Sequence, residues 1–396
     1  MMQISPETQL FIREHSSDDV RVLALQAKKY PDIDMPTAIT QIAGRKVAAE
    51  KIPSWWEIEK IWYPKHLSLE QCSSEITARY KARLLQGDSL TDLTGGFGID
   101  CSFLATGFKS ATYVERQEEL CEIAAHNFPV LNLNHINIKN EDGVTYLQAM
   151  SPVDCLFLDP ARRNEHGGKT VAISDCEPNV AELEELLLQK ANRVMIKLSP
   201  MLDLSLALKE LKQTQEVHIL SVNNECKELL ILLGQTSPTE ISIHCVNLST
   251  KGTQEEQHFV FTREQEQCSE CTYTDSLETY LYEPNASLLK AGAFRSIAAA
   301  YPVRKLHPNS HLYTSDTFIE NFSGRIFRIV NQCSFNKKEE KENLAALKKA
   351  NVTVRNFPAT VAELRKRIHL AEGGDTYLFA STLNNGQKVL IRCEKV

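Results

Sequence analysis

The stretch LTDLTGGFGID, residues 90–100, decides the fold. A β-rich run enters a turn carrying Gly95, Gly96 and Gly98 and leaves it as a helix. Glycines at such a strand-to-helix turn permit tight chain reversal and close approach of backbone to a ligand. A dinucleotide turn would read G-x-G-x-x-G and set a pyrophosphate over the helix N-terminus, whereas here Asp92 precedes the glycines. An acidic residue suits a ligand with a cationic amine better than a diphosphate.

Downstream, short apolar runs alternate with helical stretches. SLTDLTG, ATYVE, INIKNED, VDCLFLDP, RVMIKLSP and EVHILSV read as strands, and the segments between them as amphipathic helices. That alternation predicts an α/β domain, a doubly wound and mostly parallel seven-stranded Rossmann-like sheet, over residues 71–238. KELLILLGQ is expected as a last, antiparallel edge strand. Upstream, residues 1–70 read as a helical domain punctuated by Pro31, Pro36, Pro53 and Pro64. Residues 239–335 form a less regular middle region, and residues 336–396 a small α+β module in which NNG makes a hairpin turn.

Composition narrows the function classes. The 396 residues are 42% hydrophobic and 24% charged, which fits two or three domains with buried cores and argues against disorder. No window approaches the roughly 18 apolar residues that cross a bilayer, and the N-terminus lacks a basic start before an apolar run, so a cytoplasmic protein with no membrane partner is expected. The 11 cysteines are scattered and odd in number, as reduced thiols are. Cys268 and Cys271 form one CxxC with no second pair, and Pro308 breaks any helix that would align His307 with His311, so no metal is expected. The net charge of −7 argues against indiscriminate nucleic-acid binding. Residues 336–396, however, carry 12 Lys and Arg against 7 Asp and Glu.

The strand ends carry the chemistry. YVER places Glu115 about twenty residues beyond the glycine turn, where a carboxylate accepts both hydroxyls of a ribose or, more plainly, caps a helix. Asp142 ends the third strand as an adenine contact or a turn residue. Asp159-Pro160 follows four apolar positions at the mouth of the sheet, where an acid is costly unless used or solvated. Arg162 and Arg163 come next, offering guanidinium forks to phosphate or carboxylate, and Lys197 ends the following strand.

Together these residues resemble the class I S-adenosylmethionine-dependent methyltransferase superfamily. The resemblance implies that Asp92, Thr94, Gly95, Gly96, Phe97 and Gly98 form the loop around the methionine part of S-adenosyl-L-methionine. It further implies ribose contacts from Glu115 and Arg116, and an adenine contact from Asp142. Asp159-Pro160 resembles the Asp/Asn-Pro-Pro-aromatic tetrad of enzymes that methylate exocyclic amines of bases, with Ala161 and Arg162 replacing the second proline and the ring. On that basis Asp159, Pro160, Arg162 and Lys197 are the catalytic candidates. The helix SSEITARYKARLL resembles a segment that closes over the cofactor, which adds Ser74, Thr77 and Tyr80.

PNASLLKAGAF, FSGRIFRI and the terminal VRNFPATVAELRKRIHL look like a bacterial methyltransferase family with a C-terminal THUMP-like domain. That resemblance implies a tRNA or rRNA substrate, with Arg355, Arg365, Lys366 and Arg367 available to phosphates or merely solvated. A methyltransferase for a small molecule or protein, and a non-catalytic scaffold, remain as alternatives.

Overall fold

The structure, a computed structural model, describes residues 4–162, 172–236, 238–250 and 256–396. Arg163 and the Arg162 side chain lie outside the described residues. The chain divides into two compact units: Met1–Gln215 with Leu229–Pro238, and Glu216–Glu228 with Thr239–Val396. Among the described residues no helix is long and apolar enough to cross a membrane.

The first unit begins with six helices: α1 (Pro6–Glu14), α2 (Val20–Leu25), α3 (Met35–Lys51), α4 (Pro53–Trp56), α5 (His66–Gln71) and α6 (Glu75–Ala82). Pro36 and Pro53, two of the prolines that punctuate the helical pieces, stand in the first turns of α3 and α4. There the missing amide hydrogen costs nothing, because no preceding carbonyl awaits it. Phe11, Leu23, Met35, Ala38 and Ile42 form one apolar cluster. A second runs from Ala48 and Ile52 through Trp55 and Tyr63 to Phe97 in the glycine turn and to Ile99 and Ile123 on the helices that follow β1 and β2.

The strands run β1 (Ser89–Asp92), β2 (Ser110–Glu115), β3 (Ile136–Asn140), β4 (Val153–Leu158), the two-residue pair β5 (Ala161–Arg162) and β6 (Cys176–Glu177), β7 (Ala191–Leu198), β8 (Thr214–Val222) and β9 (Glu225–Gly234). In the first unit β3, β2, β1, β4 and β7 lie side by side and parallel, and β9 pairs antiparallel with β7. Helices α7 (Ile99–Ala105), α8 (Glu118–Val130), α9 (Gly143–Ala149), α10 (Val180–Lys190) and α11 (Leu204–Glu210) alternate with them. This is the doubly wound, mostly parallel sheet that the apolar rhythm predicts. Of the seven expected strands six belong to this unit, while β8 lies almost wholly in the second.

In the second unit β8 pairs parallel with β10 (Ser242–Leu248), which pairs antiparallel with β11 (Glu256–Thr262). A separate seven-stranded sheet holds β12 (Tyr280–Pro284), β13 (Arg304–Lys305), β14 (Tyr313–Ser315), β15 (Gly324–Ser334), β16 (Asn351–Val354), β17 (Thr376–Thr382) and β18 (Lys388–Lys395). β15 bridges the sequence regions, pairing antiparallel with β12 on one side and β18 on the other. Its alternation of buried and exposed residues is loose, which is why it read as irregular from sequence.

Candidate active site

The glycine turn is held by its neighbours. Asp92 Oδ1 accepts from Thr94 N–H at 2.9 Å, bending the chain as it leaves β1. A Cβ on Gly95 would sit 2.2 Å from the Tyr113 ring, so only glycine fits there. Gly98 (φ 85°) is the left-handed residue from which α7 starts. Gly96 (φ 53°) differs: a Cβ there would meet nothing nearer than 3.8 Å. The Tyr113 hydroxyl donates to Gly96 O at 2.5 Å and pins the loop from beneath.

Glu115, at the end of β2, accepts from Gly96 N–H at 2.9 Å and from Gln117 N–H at 2.8 Å, one bond to each carboxylate oxygen. Each oxygen keeps a second lone pair. Asp142 caps α9, its Oδ1 accepting from Val144 and Thr145 N–H at 3.0 Å each. Arg116 is exposed and reaches Glu177 at 3.1 Å. The Phe97 ring packs edge-on against Trp55 at 5.2 Å inside the helical core, so its backbone is what it offers a ligand.

Beside the turn lies a buried ionic network. Lys197 Nζ, at the end of β7, stands 2.5 Å from Asp159 Oδ2, 3.3 Å from Asp100 Oδ2 and 3.0 Å from Ser73 Oγ. Lys81 Nζ, on α6, stands 3.0 Å from Asp100 Oδ1 and donates to Ser73 Oγ at 2.9 Å. Ser73 in turn donates to Asp100 Oδ2 at 2.7 Å. Packing of α6 against α7 brings these groups together. Thr94 Oγ1 accepts from Asp159 N–H at 2.6 Å and joins the end of β4 to the glycine turn.

The acids are tuned in opposite directions. Burial pushes Asp92 up to about 8, with Asp100, Asp159 and Glu115 adding like charge. Burial also works against ionised Asp100, but Lys81 and Lys197 outweigh it and hold the carboxyl down at about 2. Asp159 is raised by burial, and Lys197 opposes that rise. Its side chain is still 38% exposed, so one face stays open at the strand end.

The structure thus gathers Asp92, Thr94, the three glycines, Glu115, Asp159 and Lys197 at the carboxyl ends of β1, β2, β4 and β7. Ser74 and Thr77 hydroxyls face each other at 3.2 Å at the start of α6, and Tyr80 is buried on the same helix. Pro160 leads into β5, which pairs with β6 as a short ribbon. Ser73, Lys81 and Asp100 were missed. A signal existed for Lys81, four residues after Thr77 on the same helix face, but a lone lysine in a polar helix gives no hint of burial. A cavity of about 240 Å³ lined by Ser89, Pro152, Asp154 and Asn192 lies at the opposite ends of the strands, away from these groups.

Two family models match the second unit: a ferredoxin-like domain over residues 280–322 and a THUMP domain-like model over residues 324–395. No curated protein matches the chain. Among solved structures, one from Porphyromonas gingivalis W83, described as a "putative methyltransferase", is 34% identical and covers 100% of both chains at a TM-score of 0.88. An rRNA methylase from Streptococcus thermophilus is 15% identical over 40% of this chain and 93% of its own, at a TM-score of 0.29. A Streptococcus mutans protein given the same description as the first, solved in complex with SAH, is 14% identical over 40% of this chain and 96% of its own, at a TM-score of 0.30. With end-to-end coverage by the Porphyromonas gingivalis protein at that identity, and a THUMP-like domain at its C-terminus, the chain belongs to that protein's methyltransferase family.

Proposed function

We propose that the chain is an S-adenosylmethionine-dependent methyltransferase that modifies an exocyclic amine of a base in tRNA or rRNA. The observation that carries the cofactor assignment is Asp92. Burial beside Asp100, Asp159 and Glu115 pushes its carboxyl up to about 8, so a cationic ligand supplies the counter-charge that favours its ionised form and a diphosphate does not. The open face of Gly96 and the remaining lone pairs of Glu115 suit the methionine and ribose parts of the same ligand. When bound, S-adenosylmethionine supplies a methyl group already activated by its sulfonium.

The protein's own work is then positional. Lys197 occupies Asp159 Oδ2, leaving Oδ1 to accept a hydrogen bond from the target amine and aim its lone pair. Lys197 also opposes the rise that burial imposes on the Asp159 carboxyl. Thr94, bonded to Asp159 N–H, fixes the acid relative to the glycine turn. No covalent enzyme intermediate is required.

The RNA assignment rests on the THUMP-like match and on the surplus of basic residues in 336–396. Two of its four candidate cations are engaged within the fold: Arg355 Nη2 lies 3.1 Å from Glu283, and Arg367 Nη2 lies 2.6 Å from Glu340. Arg365 is half-buried with its Nη1 shielded from solvent, which leaves the exposed Lys366 as the better candidate for phosphate contact. A small molecule or protein substrate is favoured by one observation, the absence of an aromatic residue at position 162.

Methyl transfer from radiolabelled S-adenosylmethionine to total RNA, protein and small-metabolite fractions tests the reading, with Asp159→Ala alongside. Label in RNA that disappears in the variant supports it. Label confined to protein or small molecules refutes the RNA assignment, and no label anywhere refutes the enzyme.

A further inference from the structure

Three neighbouring strands of the second unit bring histidines to one patch. His218 on β8 stands opposite His244 on β10 in parallel register. His258 on β11 sits two residues from Val260, the direct partner of His244, and so lies diagonal to it. The His218 and His244 rings stack at 4.2 Å with planes 15° apart. His244 Nδ1 is 3.1 Å from His258 Nε2, and Glu216 Oε2 is 3.2 Å from His218 Nε2. One ligand atom each of Glu216, His218 and His244 lies within 4.8 Å of the others. His218 is buried while His258 is exposed, so the patch is walled at one end and reachable at the other.

We propose that Glu216, His218, His244 and His258 form a binding site for a divalent transition-metal ion, with zinc as the best fit. Two bonds of about 2.1 Å to one ion at near-tetrahedral angles hold their donor atoms about 3.1 to 3.4 Å apart, the spacing already found for two pairs here. Among Glu216, His218 and His244 the donor atoms lie within 4.8 Å of one another and close by side-chain rotation, and His258 joins through His244, its Nε2 turning from His244 Nδ1 onto the ion. Three imidazoles and one carboxylate select zinc, nickel or copper over calcium or magnesium, which require oxygen donors. Glu256 supports the assignment from behind. Its carboxylate is 3.9 Å from His258 Nδ1, the ring nitrogen that faces away from the ion once Nε2 binds, and a shift of about 1 Å would make the hydrogen bond that orients a metal-bound imidazole. The site joins three strands through their side chains and lies apart from the methyl-transfer residues in sequence.

The test uses the full chain stripped with EDTA. Zinc is titrated in competition with a chromophoric chelator, and cobalt(II) by absorption. One equivalent should bind, the cobalt spectrum should lack an intense thiolate charge-transfer band, and His244→Ala and His258→Gln should each weaken binding by more than about tenfold. The Cys268→Ser/Cys271→Ser variant should bind as the parent does. His258 is exposed, so its variant keeps the proposal testable even if His244→Ala does not fold. Circular dichroism melts add an independent readout, with zinc raising the midpoint of the parent and not of the histidine variants. Absence of stoichiometric binding, retention of it in His258→Gln, or its loss in the cysteine variant would each overturn the assignment.

Discussion

Lys197 Nζ stands 2.5 Å from Asp159 Oδ2 and also reaches Asp100 at 3.3 Å, so one ammonium serves both the open acid at the strand end and the buried acid beneath it. Lys197→Met should therefore raise the Asp159 pKa further, since burial would act on it with less opposition. Methyl transfer at pH 7 should fall about 10²-fold and recover partly as the pH is raised. The pH–rate profile checks this. An acid limb at the same pH in parent and variant would show that Lys197 does not oppose the rise in the Asp159 pKa.

Lys81 is fully buried against Asp100. Lys81→Met should cost about 3–5 kcal/mol, because it strips a partner from a buried charge, and adding Asp100→Leu should recover part of the loss. Tryptophan fluorescence during urea unfolding reports on this, as Trp55, Trp56 and Trp62 all lie in the first unit. Asp100 is held at about 2, below its ordinary 3.8. Its contribution is thus present above pH 4 and lost as the pH falls through about 2, a loss that Asp100→Asn should not show. A double variant no more stable than Lys81→Met would contradict the pairing.

Asp92 has the reverse sign. Its carboxyl is raised from 3.8 to about 8, so folding is progressively penalised as the pH rises from about 4 to about 8. Asp92→Asn should be more stable than the parent at pH 8, by a few kcal/mol, and nearly equal to it at pH 4. The same variant should bind S-adenosylmethionine more weakly. Calorimetric titration with the cofactor, beside thermal melts at both pH values, measures the two effects. Equal stability at pH 8 would show that Asp92 ionises freely.

The glycine turn separates packing from ligand approach. Gly95→Ala should damage the fold, because the new methyl meets the Tyr113 ring at 2.2 Å. Gly96→Ala has open space, and its positive φ should cost only about 1–2 kcal/mol. Its methyl would nevertheless project where the cofactor approaches. Melting should therefore rank Gly96→Ala well above Gly95→Ala, while both lose cofactor affinity.

In the C-terminal module Arg367 grips Glu340, which is buried, and its guanidinium lies 3.9 Å from the centre of the Phe335 ring. Arg367→Ala should lower stability by about 1–3 kcal/mol and leave the salt dependence of RNA retention unchanged. Lys366→Ala should leave stability alone and reduce the slope of binding against salt by about one. Filter binding over a salt series distinguishes them. The opposite pattern would place Arg367, not Lys366, on the RNA.

Periodicity and turn chemistry are local, and what depends on them was legible. The parallel strands, the intervening helices, the glycine turn and the acids ending β1, β2 and β4 follow from runs of four to ten residues. Local patterning also placed Lys197 at the end of β7. Other features arise only when distant segments meet. Ser73, Lys81 and Asp100 look like ordinary polar residues until α6 packs on α7 and encloses them beside Lys197. Arg355 and Arg367 read as phosphate contacts or solvated charges until β12 and α12 (Lys337–Leu344) present Glu283 and Glu340.

His218, His244 and His258 stand far apart in sequence with no ligand spacing between them, and strand register alone aligns them. By itself the sequence determined the sheet and its chemically charged edge, because side-chain alternation and turn geometry act over a few residues. Tertiary structure decided which charges are buried and paired, because burial and pairing depend on contacts between segments that the chain order does not place together.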